Sequence, residues 1–266
     1  GNDKPLVAIF TYPPIDDISA IPKRSLNLKS PTRSVEEKIR IAIIGAGAFS
    51  RSTHLPNIKE LNNLYHLRAV VNRTGPSAKT IGKQFGADYV STDPNDVFKD
   101  PEVDAVLIAT RHHLHGSLVL AALKAGKHVF CEKPPARTTK ELKSVIKIEN
   151  NSNLILKYGF NHRYHYSVQE AKKIIDSGSM GKLLWLRGVY GKAGSIDYDK
   201  NWRNYSKYSG GGILIDQGIH MLDLMRYFSK ETFNHVNSFV TTSYWDIKSE
   251  DNAFAIMQSK NKVTAM

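Results

Sequence analysis

Lys133, Asp216 and His220 put an ammonium, a carboxylate and an imidazole in settings that suit proton transfer and stabilisation of an alkoxide. Lys133 lies in Glu132-Lys133-Pro134, after the apolar run Lys127 to Cys131. Proline disfavours helical geometry in the residue before it, so Lys133 is expected to be extended at the carboxyl edge of a sheet, where doubly wound folds bind ligands. There it could hydrogen-bond a reacting hydroxyl and stabilise the developing alkoxide, while Glu132 could reach a cofactor ribose. A surface ion pair at a strand end is the alternative. Asp216 and His220 lie in the run from Gly210-Gly211-Gly212 to Asp223. Four residues apart on a helix, they share a face, so the carboxylate could orient the imidazole. An imidazole with an ordinary pKa of roughly 6.5 suits general base catalysis on a hydroxyl whose carbon loses hydride. A plain polar pair on a helix surface is the competing explanation. Gly218 inside this helix costs roughly 1 kcal/mol and points to close approach by another group.

A second feature could hold a dinucleotide. Gly45, Gly47, Ala48, Phe49 and Ser50 follow the apolar run Ile41 to Ile44 and precede a helical pattern. Glycines there let the backbone turn sharply and approach a pyrophosphate seated at the helix N-terminus. Ser50 stands where a third glycine would, which is expected to loosen the contact between strand and helix. A simple glycine turn is the alternative. At the end of the next strand, Asn72 occupies the position where a carboxylate would bond a ribose 2'-hydroxyl and repel a 2'-phosphate. Arg73 and Thr74 offer a cation and a hydroxyl to such a phosphate. The cofactor expected is therefore NAD or NADP, with NADP favoured and a strand end that tolerates NAD equally left open.

These groups must be positioned by a scaffold, and the pattern supplies one. Apolar runs at Ile41 to Ile44, Leu67 to Val71, Val103 to Thr110, Lys127 to Cys131 and Leu154 to Tyr158 alternate with helix-period stretches. That alternation predicts five parallel strands with helices on both faces. After Gly159 come a helix at Ser167 to Ile175, a strand near Leu183 to Tyr190, a polar loop, a helix at Ile213 to Phe228, and then strands. The fold class expected is α/β: a Rossmann doubly wound parallel sheet over 38–158, plus an α+β domain with an open, mainly antiparallel sheet over 159–266. Residues 1–37 begin with Gly, hold five of the eleven prolines and carry one strand-like run, Leu6 to Tyr12, so they read as an arm or linker. The chain stops inside a strand-like run from Lys262, and a piece of a longer polypeptide is expected.

Composition narrows the class. The 266 residues carry a net charge of +12, but Lys140, Lys143 and Lys147 show the spacing of a solvated helix face rather than a nucleic-acid footprint. No run is long and apolar enough for a membrane span, and a cytoplasmic location is the default. Cys131, the single cysteine, forms no intramolecular disulfide and reads as a small buried residue at a strand end. His112, His113 and His115 lack a cysteine or carboxylate at ligand spacing, so no metal is assigned. Trp202, Tyr205 and Tyr208 could stack on a sugar or pack their loop.

Taken in order with Ala109 to His115 and Gly159 to Tyr164, these sites resemble the glucose-fructose oxidoreductase / inositol dehydrogenase / MocA family, from about residue 38 to the end. The resemblance implies an NAD(P)-dependent dehydrogenase acting on a sugar, nucleotide sugar or cyclitol hydroxyl. By the same resemblance Lys133, Asp216 and His220 are catalytic, and Thr110, His112, His115 and Glu132 join the cofactor site. Arg163, Tyr164 and Trp202, with Lys133, Asp216 and His220, face the substrate. A homo-oligomer through the C-terminal sheet is implied, with no nucleic acid and no membrane partner. The stretch from Lys4 to Tyr12 is similar to the join in bi-domain oxidoreductases. A cofactor-binding sensor without turnover is the rival reading, because Rossmann modules can lose their chemistry.

Overall fold

The run Ile41 to Ile44 becomes the centre of a seven-stranded sheet, in a computed structural model that describes residues 24–28, 38–192, 194 and 196–266. Its strands are β1 (Ser25–Asn27), β2 (Ile39–Ile44), β3 (Tyr65–Val71), β4 (Tyr89–Ser91), β5 (Ala105–Ile108), β6 (His128–Cys131) and β7 (Leu156–Tyr158). They lie in the order β1-β4-β3-β2-β5-β6-β7. All neighbours pair in parallel except β1, which runs antiparallel along β4.

Burial explains why β2 is an unbroken apolar run. Ile41 and Ile43 pack on one face with Leu55, Ile58 and Ile81, whereas Ala42 and Ile44 pack on the other with Val119, Val129 and Val145. Side chains alternate between the two faces of a strand, so a sheet covered on both sides leaves no place for polar residues. The covering helices are α1 (Leu55–Glu60), α2 (Gly75–Phe85), α3 (Pro94–Lys99), α4 (His115–Lys124) and α5 (Thr139–Glu149).

All five strands expected from the pattern are present, and two more appear. β4 is only three residues long, too short to stand out as an apolar run. β1 comes from the segment read as an arm: Leu28 follows it and approaches Gly82, where a Cβ would stand 2.9 Å from the Leu28 Cδ1. Part of that segment thus extends the sheet, because an open strand edge gains a ladder when a neighbouring segment pairs with it. The strand-like run Leu6 to Tyr12 lies outside the described residues.

The remaining elements are α6 (Tyr166–Asp176), β8 (Trp185–Leu186), α7 (Ser206–Ser209), α8 (Ile219–Ser229), β9 (Phe233–Thr241), β10 (Asn252–Ser259) and β11 (Thr264–Ala265). The four strands form a second sheet in the order β8-β11-β10-β9, antiparallel except for the β8–β11 pair. Met225 on α8 packs on its inner face with Met257 and Ala265. Its outer face carries Phe239, Phe254 and Ile256, all more than half exposed, with Phe239 and Phe254 directly opposite one another. Among the described residues no helix is long and apolar enough to cross a membrane.

Candidate active site

The chain leaves β2 for β3 on one side and later returns to β5 on the other, so a crevice opens beyond the carboxyl ends of β2 and β5. Gly45 sits at its floor with φ +94, and a Cβ there would stand 2.8 Å from the Ala109 carbonyl oxygen. Only glycine accepts both that backbone and that contact. At Gly47 a Cβ would meet nothing within 4 Å, so the turn has an open side. That open backbone, leading into a continuous helix from residue 48 to 60, suits a pyrophosphate, whose charge the helix N-terminus favours. Ser50 does not loosen this turn as expected. Its hydroxyl is buried and donates to the Gly45 carbonyl oxygen at 2.8 Å, locking strand to helix.

Asn72 ends β3 with its amide nitrogen on the Ser77 hydroxyl at 2.8 Å and its carbonyl oxygen accepting from the Arg73 amide at 2.9 Å. No carboxylate stands there. Arg73 is exposed, and Thr74 precedes α2 without using its hydroxyl to cap it. Glu132, expected at the cofactor ribose, has its carboxylate 2.9 Å from His54 Nε2. His54 lies on the π-helical turn Ser50–His54 within the first helix, so this bond couples the glycine turn to the tip of β6. A Cβ at Gly159 would stand 2.8 Å from the same carboxylate, which accounts for that glycine.

Lys133, one residue beyond, reaches across to the glycine-led helix. Its ammonium donates to the Asp216 carboxylate at 2.9 Å and to the Asp216 backbone carbonyl at 2.5 Å. The peptide between Lys133 and Pro134 is cis. Residues 213–229 form one helix that is π-helical over Leu214–Gly218. Such a turn loosens the ordinary i to i−4 ladder and recurs at functional sites. Gly218 meets no other element. The atoms nearest to a Cβ there belong to its own helix, Leu214 Cδ1 at 2.8 Å first, and that flexible side-chain end could move aside. The triple glycine is set by contacts outside the helix: a Cβ at Gly212 would stand 2.1 Å from the Glu250 carbonyl oxygen. Glu250 also accepts from the amides of Gly212 and Leu214 at 2.8 and 3.2 Å, fixing where the helix starts.

Asp216 does not pair with His220 as the spacing suggested. Arg203 donates to its carboxylate at 3.3 Å and Gln217 at 3.0 Å, in addition to Lys133. Two cations attract a carboxylate far more strongly than a neutral imidazole does. Burial pushes the Asp216 carboxyl up, but Lys133 and Arg203 outweigh it and bring it down to about 2. His220 is buried, and its Nδ1 has no hydrogen-bond partner among the described residues. Burial, with the Lys133 charge and His162, lowers this imidazole to about 4 against the opposing pull of Asp216. Lys133, Asp216 and His220 thus form one cluster, in which the carboxylate serves the ammonium and the imidazole stands neutral with a free nitrogen.

Other expected residues are engaged elsewhere. His115 is fully buried, with its ring nitrogens 2.8 Å from the Pro134 carbonyl oxygen and 3.1 Å from that of Thr110. His112 is buried too, with Nδ1 at 3.1 Å from the Ser209 carbonyl oxygen and its ring edge-on to Trp202. Both had been expected at the cofactor. His112 opens the short turn His112–Leu114 and His115 opens α4 directly after it, and both rings are buried, where they tie loops together. Thr110 lies at the glycine turn, its methyl 2.8 Å from where a Cβ of Gly45 would be. Arg163, expected to face the substrate, is held by Asp223 through two hydrogen bonds of 2.7 and 2.5 Å. Tyr164 is exposed. Trp202 packs its loop, with Arg203 and Arg111 over the ring at 4.6 and 5.8 Å. Cys131 is buried, and burial pushes its thiol up. Arg203, His54 and Glu250 had carried no local signal, because each acts through a partner distant in sequence or in another element.

A parallel sheet in this strand order, with a glycine turn at its switch point and a second sheet alongside, is the architecture of a dinucleotide-binding oxidoreductase. Residues 39–160 match the oxidoreductase family with an NAD-binding Rossmann fold, and residues 168–266 match the GFO/IDH/MocA C-terminal domain. The chain belongs to the GFO/IDH/MocA oxidoreductase family. It is 35% identical over 179 residues to the levoglucosan dehydrogenase of Pseudarthrobacter phenanthrenivorans, covering 66% of this chain and 46% of the relative. Against the myo-inositol 2-dehydrogenase of Thermotoga maritima it is 31% identical, covering 74% of this chain and 57% of the relative. The chain thus spans about half the length of these curated relatives. A structure of levoglucosan dehydrogenase in complex with NADH superposes with a TM-score of 0.80 at 27% identity, over 86% of this chain and 65% of the other.

Proposed function

We propose that this site transfers a hydride between NAD(P) and a secondary alcohol carbon of a sugar, nucleotide sugar or cyclitol. One observation carries the reading: a buried, neutral imidazole with an unpartnered nitrogen stands beside an ammonium that a carboxylate holds in place. Lys133 donates to the reacting hydroxyl oxygen and stabilises the negative charge that grows there. Asp216 orients Lys133 and balances its charge. His220 takes the hydroxyl proton at Nε2, the ring nitrogen that is not sealed inside the protein, or returns it in the reverse direction. The dinucleotide, when bound, supplies the hydride acceptor.

Gly45, Gly47, Ala48, Phe49, Ser50 and Thr110 would hold its pyrophosphate side. Asn72, Arg73 and Thr74 would hold the adenosine ribose, and the lack of a carboxylate at residue 72 supports acceptance of NADP. The relatives named above act on an anhydrosugar and on an inositol, as their names state, which supports a polyhydroxylated ring as substrate. The exposed apolar face around Phe239 and Phe254 supports self-association through the second sheet, which sedimentation of the chain checks. Turnover is tested with levoglucosan, myo-inositol, uronates and nucleotide sugars against both cofactors, for the wild type and Lys133→Ala. The variant is expected to bind cofactor as the wild type does and to lose turnover; an unchanged rate would remove Lys133 from the mechanism.

A further inference from the structure

A general base must present its lone pair along one direction, and imidazoles in such sites are ordinarily held by a carboxylate or a carbonyl on the opposite nitrogen. His220 has no such orienter: among the described residues neither ring nitrogen forms a hydrogen bond, and the carboxylate four residues earlier is taken by Lys133 and Arg203. Rotation about the bond to an imidazole ring is broad and roughly two-fold, so without an orienter the free nitrogen would sweep an arc. Something else must set the ring plane.

His162 meets that need. It lies on the short turn Asn161–Tyr164 that follows β7, and its ring stacks on that of His220 with centroids 4.0 Å apart and planes 13° apart. Tyr190 lies nearly parallel to both, at 5.6 Å from His162 and 6.4 Å from His220, while Phe160 closes the arrangement edge-on at 6.2 Å from His220. Flat rings stacked at such distances resist rotation of one against another.

We propose that His162 is the positioning residue of the active site: by stacking on His220 it fixes the plane in which the open Nε2 meets the substrate. The inference rests on the reading of His220 as the acid/base. The stack also shields the imidazole from water. The charged groups facing His220 are Lys133 from the tip of β6, Asp216 from its own helix and His162 from the turn. His162 in turn faces His165, Lys133 and Asp223, and burial first, then His165 and Lys133, lowers it below its ordinary range. Both stacked rings are therefore neutral near neutral pH, and no cation pair forces them apart.

Two substitutions separate stacking from mere filling of space. His162→Phe keeps a flat ring against His220, whereas His162→Leu fills the volume without one. Nuclear magnetic resonance titration of the His220 ring protons, on the full chain without cofactor, is expected to show titration below the ordinary imidazole range in the wild type and His162→Phe. In His162→Leu the titration is expected to rise by roughly one pH unit or more as water reaches the ring. In turnover of levoglucosan or myo-inositol with NAD, kcat should fall roughly ten-fold further in His162→Leu than in His162→Phe, with the KM for NAD unchanged. An identical His220 titration in all three proteins would overturn the proposal whatever the rates. If instead the titrations differ as expected and His220→Asn turns over like the wild type, the base assignment fails while the stacking stands.

Discussion

The Lys133–Asp216 pair yields the sharpest quantitative expectation. Both side chains are withdrawn from solvent, at 15% and 4% exposure, and the ammonium also caps the backbone carbonyl of Asp216. A carboxyl brought from 3.8 down to about 2 corresponds to roughly 2 to 3 kcal/mol of favourable interaction in the folded chain. Removing one partner leaves a buried charge with poor compensation, which costs about 3 to 5 kcal/mol. Asp216→Asn and Lys133→Met should each destabilise by that amount at pH 7, although Arg203 softens the loss when Lys133 goes. The double variant should be little worse than either single one, so the coupling free energy in a double-mutant cycle should be about 2 kcal/mol or more. Urea unfolding followed by tryptophan fluorescence measures all four proteins. Because the folded carboxyl titrates below the unfolded one, its contribution is complete above about pH 3.8 and disappears as pH falls through about 2. The wild type should lose that increment on acidification and Asp216→Asn should not. Additive single effects, with coupling under about 0.5 kcal/mol, would refute the pairing as the device that holds the lysine.

Three further expectations follow from the same geometry. His220 titrates near 4 in the fold against an ordinary 6.5, so the unfolded chain binds the extra proton and stability falls as pH drops from 6.5 toward 4. The acid limb of kcat/KM should lie near 4 accordingly, which a pH-rate profile of alcohol oxidation checks. Gly212→Ala would put a methyl 2.1 Å from the Glu250 carbonyl oxygen, so the helix start must shift at a cost of about 1 to 3 kcal/mol, read by urea unfolding, and kcat should fall as Asp216 moves with it. Arg73→Ala should weaken NADP binding at least about ten-fold more than NAD binding in fluorescence titration; equal affinities in wild type and variant would remove Arg73 from cofactor choice.

What the sequence made legible is what depends on periodicity and on residue type. The buried strands showed as apolar runs because both faces of β2 are covered. The glycine turn showed because φ +94 at Gly45 leaves few other residues possible. Lys133, Asp216 and His220 stood out through their residue types and the family resemblance, since each setting taken alone also reads as an ordinary surface pair. What stayed hidden depends on which partner wins a polar group. The four-residue spacing of Asp216 and His220 pointed to each other, yet a lysine 83 residues away took the carboxylate. The resemblance placed His112 and His115 at the cofactor, and their type gave no sign that both rings would be buried and bonded to backbone carbonyls. That Asp223, 60 residues further on, would hold the Arg163 guanidinium had no local signal. β4 escaped notice because three residues carry too little pattern.

The central claim is that the Lys133 ammonium and the His220 imidazole meet over one nicotinamide ring. Its most direct measurement is the nuclear Overhauser effect between the nicotinamide protons of bound NAD and the His220 ring protons, on the full chain, with His220→Asn as the control for assignment. The account predicts a cross-peak that vanishes in the variant and persists in Arg73→Ala at saturating NAD. Saturable NAD binding with nicotinamide contacts only to residues away from His220 would contradict it.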